Sequence, residues 1–345
     1  MLNKIIPEDQ IQKSRKLVER WDKIVIVTHV SPDGDAIGSS LGLCRFLEQI
    51  GKQVNIIVPD QFPDFLKWMK GANSILMAER YPQLAEETIA AAELIFCLDF
   101  NSLKRIDRLA PWVESSSAKK IMIDHHPEPD DFCDVTISHP EISSCSELIF
   151  RFICRMGMFE YIDLHCAESI YTGMMTDTGA FTYNSNSPQI YYIIGELLRI
   201  GIDKDKIYDR VYNDYTESRI RLQGFTIYEK MKIYPEYKTA LITLSRDELQ
   251  RFKRRKGDTE GFVNIPLSIE EIVFSVFIRE EQDKIKISLR SKGSFPTNQF
   301  SADVFGGGGH LNASGGEFDG KLEDAVALFE KTLPKYKHLL ELIKD

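Results

Sequence analysis

The sequence predicts an α/β fold: a mainly parallel sheet flanked by helices, a helical linker, and a smaller α/β C-terminal domain with a mixed sheet. Three observations carry this expectation. In the first half, apolar β-branched runs alternate with segments of helical spacing, the pattern of a parallel sheet built from βαβ units. Beyond residue 232 the alternation gives way to strand-like runs set close together. The 345 residues also exceed the roughly 250 to 300 at which a single core stops growing. The expected boundaries are residues 1–213 for the first domain, 214–232 for the linker and 233–345 for the second domain.

Residues 8–20 have the spacing of an amphipathic opening helix. KIVIVTHV (residues 23–30) reads as a buried strand, broken by SPDGD at residues 31–35. Residues 36–50 follow with Ile37, Leu41, Cys44 and Leu47 on one helical face, and Gly51 is a C-terminal stop. A strand over residues 54–58 completes the unit. Residues 94–100 and 120–124 are further buried strands, each with an acidic residue at its end. Residues 143–157, 163–176 and 188–199 read as helices, and 203–231 as a helical connection. In the second domain, strands are expected at 238–244, 271–279 and 284–290. Between the first two lies a basic run, Arg251, Lys253, Arg254, Arg255 and Lys256. A glycine cluster, Gly306 to Gly309, precedes a closing helix over residues 322–343.

Composition sets the broad class. Apolar residues make up 43% and charged residues 28%, the balance of an ordinary globular protein. The N-terminal residues lack the apolar core of a signal peptide, and no stretch reaches the roughly 20 apolar residues that span a bilayer. The expectation is a cytoplasmic protein with no membrane contact. None of the six cysteines forms a Cys-x-x-Cys pair, which argues against a zinc ribbon or a thioredoxin-type site. The net charge of −9 is uneven. Residues 1–215 carry 22 Lys and Arg against 32 Asp and Glu, and residues 216–345 carry 21 against 20. An acidic domain does not favour long nucleic acid, whose binding leans on Lys and Arg. It suits cations, which in turn hold phosphate.

Four places concentrate chemistry: His29 with Asp33 and Asp35; Asp99; Asp124 with His125 and His126; and Asp177. Each alone has a bland explanation. An Asp at a strand end caps the following helix, and Asp-Gly at residues 33–34 is a turn signal. Together they are different. Ligands of open α/β sheets bind beyond the carboxyl ends of the strands, where these loops emerge. About four carboxylates gathered there repel one another unless cations neutralise them. Oxygen ligands with a few imidazoles suit Mn²⁺ better than an all-oxygen magnesium cage.

The segments VTHVSPDGDAIGSSLGL, CLDF, IDHHP, TGMMTDTGAF and FGGGGHLNASGG resemble the motifs of the DHH phosphoesterase family, in the family's order and from about residue 24 to 316. The likeness is to its compact NrnA-like nanoRNase/pAp phosphatase subgroup, which has a DHH-associated C-terminal domain. The resemblance implies two Mn²⁺, with Mg²⁺ or Co²⁺ as substitutes. His29, Asp33 and Asp99 would hold one ion. Asp35, Asp99, His125 and Asp177 would hold the other, with Asp99 bridging. Asp124 would orient His125 through its distal nitrogen, and His126 would face the scissile phosphate. Gly307, Gly308, Gly309 and His310 would bind the substrate's terminal phosphate or nucleotide, with Arg290 in SLRSKG as arginine partner. Read from composition alone, four glycines in a row favour a flexible loop.

The resemblance further implies hydrolysis of short single-stranded oligonucleotides (nanoRNA) to mononucleotides, and of 3′-phosphoadenosine 5′-phosphate to AMP. The alternatives are a linear or cyclic dinucleotide phosphodiesterase, a polyphosphate or pyrophosphate hydrolase, and a non-enzymatic nucleotide-binding sensor. A homodimer is left open. Phe181 and Tyr183 have two readings, base-stacking aromatics or core aromatics beside the site.

Overall fold

The structure is a computed structural model that describes residues 5–255 and 257–343. The chain divides into two compact units, Met1–Asp214 and Tyr215–Asp345.

The first unit is built on six parallel strands: β1 (Lys23–Val27), β2 (Gln53–Val58), β3 (Leu76–Met77), β4 (Leu94–Leu98), β5 (Lys119–Asp124) and β6 (Val135–Ser138). They run in the order β3-β2-β1-β4-β5-β6. The chain first builds outward from β1 and then returns to lay β4 against its other side. The switch point therefore falls between β1 and β4, where a crevice opens in doubly wound sheets. Register is set by burial on both faces. Ile24 and Ile26 of β1 join one apolar cluster, and Val25 and Val27 join the other.

Helices cover both faces: α1 (Glu8–Arg20), α2 (Gly34–Gln49), α3 (Pro82–Ala90), α4 (Ala110–Ser115), α5 (Cys145–Arg155), α6 (Leu164–Asp177), α7 (Pro188–Ile200) and the short α8 (Lys204–Tyr208). Their starts have chemical causes. Asp33 caps α2 by accepting the Asp35 and Ala36 N–H groups, and Ser144 and Asp163 cap α5 and α6. Gly201, at φ 112°, ends α7.

Helices α2 and α6 meet through glycine. A Cβ on Gly38 would stand 2.6 Å from the Ser169 carbonyl oxygen and 2.8 Å from the Gly173 nitrogen. A Cβ on Gly173 would stand 1.9 Å from Ser146 Oγ and 2.9 Å from Asp35 Oδ1. Close approach of the two helices is thus a condition for placing Asp35.

The second unit has six strands: β7 (Met231–Tyr234), β8 (Thr239–Leu244), β9 (Phe274–Glu280), β10 (Ile285–Ser291), β11 (Gly308–Gly309) and β12 (Ala313–Phe318). Their order is β11-β12-β10-β9-β8-β7, with β8 and β9 parallel and the other pairs antiparallel. Its helices are α9 (Glu217–Phe225), α10 (Arg246–Arg251), α11 (Thr297–Phe305), α12 (Leu322–Thr332) and α13 (Lys337–Glu341). Phe274, Phe295, Phe300 and Phe329 fill the core on one side of the sheet, and Leu222, Ile242, Phe262 and Phe277 pack on the other.

Two segments differ from the sequence expectation. The helical connection over 203–231 is interrupted after Asn213, and α9 is packed into the second unit, where Arg219 donates to the Gly257 and Glu260 carbonyls. The closing helix breaks at Leu333–Tyr336, because Pro334 lacks the N–H that would continue it. The edge strands β3, β6, β7 and β11 are two to four residues long and too short to announce themselves in the sequence.

The glycines give a direct stability test. Gly38→Ala has no room and should lower the unfolding free energy by about 1–3 kcal/mol. Gly195, inside α7, has nothing within 4 Å of an added Cβ. Gly195→Ala should raise stability by up to about 1 kcal/mol through helix propensity. Thermal midpoints of the two variants must therefore move in opposite directions.

Candidate metal and phosphate site

Three neighbouring parallel strands deliver the site residues to one edge. His29 lies two residues beyond β1, Asp99 follows β4, and Asp124 ends β5 with His125 and His126 next. Asp33 and Asp35 come from the start of α2 and Asp177 from the end of α6.

Asp99 is the centre. It is 2% exposed, and its backbone sits in the left-handed region at φ 62°. Such a conformation costs a non-glycine residue of the order of 1–3 kcal/mol, and Asp is among the types that tolerate it. The turn aims the carboxylate between two imidazoles. Its Oδ2 is 3.4 Å from His29 Nε2, and its Oδ1 is 3.4 Å from His125 Nε2. Both rings are locked from behind, because His29 Nδ1 is 2.8 Å from the Val30 carbonyl oxygen and His125 Nδ1 is 3.2 Å from that of Ile142. A ring whose Nδ1–H is engaged by a carbonyl offers Nε2 as a donor atom for an ion.

The remaining groups fall on either side. His29 Nε2 is 3.9 Å from Asp33 Oδ1. His125 Nε2 is 3.9 Å from Asp35 Oδ2 and 3.5 Å from Asp177 Oδ2. His29, Asp33 and Asp99 thus form one cluster, Asp35, His125 and Asp177 a second, and Asp99, Asp124 and His126 a third, each with ligand atoms within 4.8 Å of one another. Atoms about 2.1 Å from a common divalent ion lie roughly 3 to 4 Å apart, so these gaps fit one. The buried Asp99 Oδ1 has no aligned hydrogen-bond donor, a vacancy that native interiors rarely leave. The donor set of carboxylates and imidazoles fits Mn²⁺, Mg²⁺ or Co²⁺.

Charge state follows from burial and crowding. Burial pushes the Asp35 carboxyl well above its ordinary range, and the Asp99 and Asp177 charges push the same way. Burial also acts against the Asp99 carboxylate, but the facing imidazoles of His125 and His29 outweigh it and hold the group well below the usual value. Burial lowers the His125 imidazole, yet Asp177 and Asp99 raise it well above the ordinary range, and His29 is raised by Asp99 and Asp33 against its own burial. The acidic surroundings thus favour the protonated form of both imidazoles. A divalent ion would displace those protons, so its binding releases them.

Asp35 is anchored independently. Its carboxylate accepts the Cys145 N–H at 2.6 Å and the Ser146 N–H at 2.9 Å, at the positive end of α5. That end is held by a buried ion pair. Arg151 donates to Glu147 Oε1 at 2.6 and 2.8 Å, and Glu147 Oε2 accepts the Ser143 hydroxyl at 2.6 Å.

One expected role is corrected. Asp124 is fully buried, but its Oδ1 is 2.8 Å from Nδ1 of His126, not of His125. The reason is geometric: with His125 turned towards Asp99 and its back to Ile142, the ring lying over Asp124 is the next one. Burial lowers the His126 imidazole, and its hydrogen bond to Asp124 only partly offsets it.

In the second unit the glycine run is sheet structure rather than a loose loop. Gly308 and Gly309 form β11 and pair with Gly315 and Ser314. A Cβ on Gly307 would meet the Gly315 carbonyl at 2.0 Å, and Gly309 holds φ 139°. His310 donates its N–H to the Ala313 carbonyl at 2.8 Å, and Ala313 is the register partner of Arg290. Arg290 and His310 therefore share one end of that sheet. The basic run is partly spent inside the unit: Arg254 pairs with Glu281 at 2.8 Å, and Arg251 lies over the Phe225 and Phe252 rings. Lys256 lies outside the described residues.

Sequence reasoning missed Arg105. Its carbonyl accepts the Val30 N–H at 2.8 Å, which ties the turn after β4 to the loop after β1. Its charge bears on both the His29 and His126 rings. The half-buried guanidinium has no ion pair or side-chain hydrogen bond to protein other than through its backbone, among the described residues. No motif marks it; the only signal is an arginine six residues after Asp99, inside the loop that the switch point exposes.

A doubly wound sheet that gathers His and Asp at its switch point, beside an open arginine, defines a site for anionic phosphoesters. The DHH family N-terminal domain matches residues 23–174, and the DHHA1 domain matches residues 242–335. The chain belongs to the DHH family of phosphoesterases and is a hydrolase acting on phosphoester bonds. A solved exopolyphosphatase-related protein from Bacteroides fragilis is 60% identical, with a TM-score of 0.94 over 99% of this chain and 100% of that one. The bifunctional oligoribonuclease and PAP phosphatase NrnA of Bacillus subtilis is 28% identical over 301 residues, 87% of this chain and 90% of the relative. RecJ from Thermus thermophilus, solved with Mn²⁺, shares the fold at 15% identity and a TM-score of 0.55, over 99% of this chain and 56% of that one.

The support beneath Asp35 can be tested apart from catalysis. Arg151→Met leaves the Glu147 charge buried without its partner and should cost about 3–5 kcal/mol. Adding Glu147→Gln should recover part of that loss. Chemical denaturation in the presence of a chelator measures both; equal stability of single and double variants would refute the account.

Proposed function

We propose that this chain is a manganese-dependent hydrolase of short oligonucleotides that also removes the 3′-phosphate of 3′-phosphoadenosine 5′-phosphate. The observation that carries the reading is the pair of locked imidazoles facing the two oxygens of Asp99. It agrees with the activities named for the NrnA relative and with the ion in the RecJ structure. His29, Asp33 and Asp99 would hold one ion, and Asp35, Asp99, His125 and Asp177 the other. Bound there, divalent ions supply Lewis acidity, neutralising phosphate charge and making hydroxide available near neutral pH.

The protein's own groups set the rest. Asp124 fixes the orientation of the His126 ring through Nδ1, and His126 would act on the phosphate or the departing oxygen. Arg105 offers a guanidinium, whose planar fork matches phosphate oxygens in pairs. The exchange is balanced: water adds to phosphorus, the ester P–O bond breaks, and the departing oxygen takes a proton. In the second unit, the glycine hairpin with His310 and Arg290 is proposed as a grip for a terminal phosphate or nucleotide. The acidic character of residues 1–215 suits a short substrate, since a long nucleic acid would need a basic track.

Three measurements check this. Calorimetric titration with Mn²⁺ should show binding to the wild type with proton release, and a large loss of affinity in Asp99→Asn. A time course on RNAs of two, five and twenty-four nucleotides should show fast cleavage of the shortest. If both short RNAs survive while inorganic polyphosphate is consumed, the metal site stands and the substrate assignment fails; the likeness to the Bacteroides exopolyphosphatase-related protein is consistent with that alternative. Arg105→Ala should raise KM for the dinucleotide by about 10- to 100-fold, the loss of one charge-assisted hydrogen-bonding group.

A further inference from the structure

Asp177 closes α6, and the eight residues after it are bent into an unusual loop. Thr178 organises it: its hydroxyl accepts the Phe181 N–H at 3.0 Å, and its carbonyl accepts the N–H groups of Thr182 and Tyr183, both at 2.9 Å. Ser185 closes the far side by donating to the Phe181 carbonyl at 2.7 Å. The backbone is left-handed at Ala180 (φ 57°), Phe181 (φ 64°) and Asn184 (φ 45°). None of these is glycine. Strain of this kind persists where the surrounding structure over-determines it, and it clusters at ligand-binding segments.

The loop sends its two aromatic rings to different places. Phe181 is half-buried, with its centroid 5.6 Å from that of the buried Tyr171, so it is a core residue. Tyr183 is 53% exposed. Its ring edge rests on Gly179, where an added Cβ would come within 2.7 Å of Cδ2. Gly179 is two residues from Asp177, so their Cα atoms are at most about 7.6 Å apart. An exposed aromatic face is therefore held, by a strained and internally hydrogen-bonded loop, beside the end of α6 that carries Asp177. Among the described residues the Tyr183 side chain has no hydrogen-bond partner of its own that would explain the placement.

We propose that Tyr183 is the stacking platform for a nucleobase of the substrate whose phosphate lies at the Asp99 cluster. The inference rests on the nucleotide reading above and deepens it. Aromatic side chains stack on bases of any sequence because every base has a π-face. A polyphosphate chain offers nothing to such a ring. The platform would thus make a phosphoesterase centre prefer nucleotides without reading their sequence.

The test is steady-state kinetics of the full chain with Mn²⁺, on a dinucleotide and on the same compound lacking its bases. Tyr183→Ala should raise KM for the dinucleotide by about 5- to 100-fold, as expected for one lost base stack, with little change in kcat. Tyr183→Phe and Tyr183→Trp should restore KM, and the baseless compound should give the same KM with wild type and Tyr183→Ala. An unchanged KM for the dinucleotide, or an equal loss on both substrates, overturns the platform and leaves the nucleotide reading intact. If the wild type does not cleave the dinucleotide at all, the nucleotide reading itself falls and the platform with it.

Discussion

The arrangement around Asp99 is the constraint on which the first unit is organised. A carboxylate almost wholly out of water must be answered by positive charge or by hydrogen-bond donors. Here it meets two imidazole rings, one on each oxygen, and one of its oxygens still has no aligned donor. The left-handed backbone at this residue is what turns the carboxylate into the gap rather than along the strand. Strand order does the rest. Because β4 returns to lie against β1, the loop carrying His29 and the residue Asp99 emerge side by side, and β5 brings His125 to the other flank.

That crowding would push the groups apart if the frame could yield. It is held in three ways. Helices α2 and α6 are in contact through Gly38 and Gly173, with no space for a side chain, which sets where Asp35 and Asp177 can stand. The N-terminal N–H groups of α5 grip Asp35 directly, and the Glu147–Arg151 pair keeps that helix end in place. The two imidazoles are braced by backbone carbonyls rather than by mobile side chains. The positions of these groups are therefore set by the surrounding fold.

Its electrostatics divide into an acidic floor and a basic rim. The carboxylates form the floor, and Arg105 stands at the rim with its guanidinium open. An anion such as a phosphoester is repelled by the floor unless cations intervene and is attracted by the rim, so on the proposed reading ions and substrate would be held by different residues of one edge. The second unit carries a separate device, a glycine hairpin in which bare backbone stands beside Arg290 and His310. Its glycines are explained by steric exclusion against β12 and not by flexibility.

Much of this was legible in the chain. The buried strands, the helices at 8–20, 36–50, 143–157, 163–176 and 188–199, and the residues of the Asp and His clusters follow from apolar periodicity and from polar residues at strand ends. These are local signals, carried by neighbours in sequence. What tertiary structure alone decided is which polar group answers which. Asp124 turns to His126 and not to His125 because of the Ile142 carbonyl, seventeen residues from His125 and brought up by the fold. Arg105 becomes part of the site only because its turn is bonded to the loop after β1. Phe181 and Tyr183, two residues apart and equivalent on paper, are parted by loop strain into a core ring and an open one. Periodicity encodes which side of an element is apolar, whereas partners and exposure are set by long-range packing, and these no stretch of sequence contains.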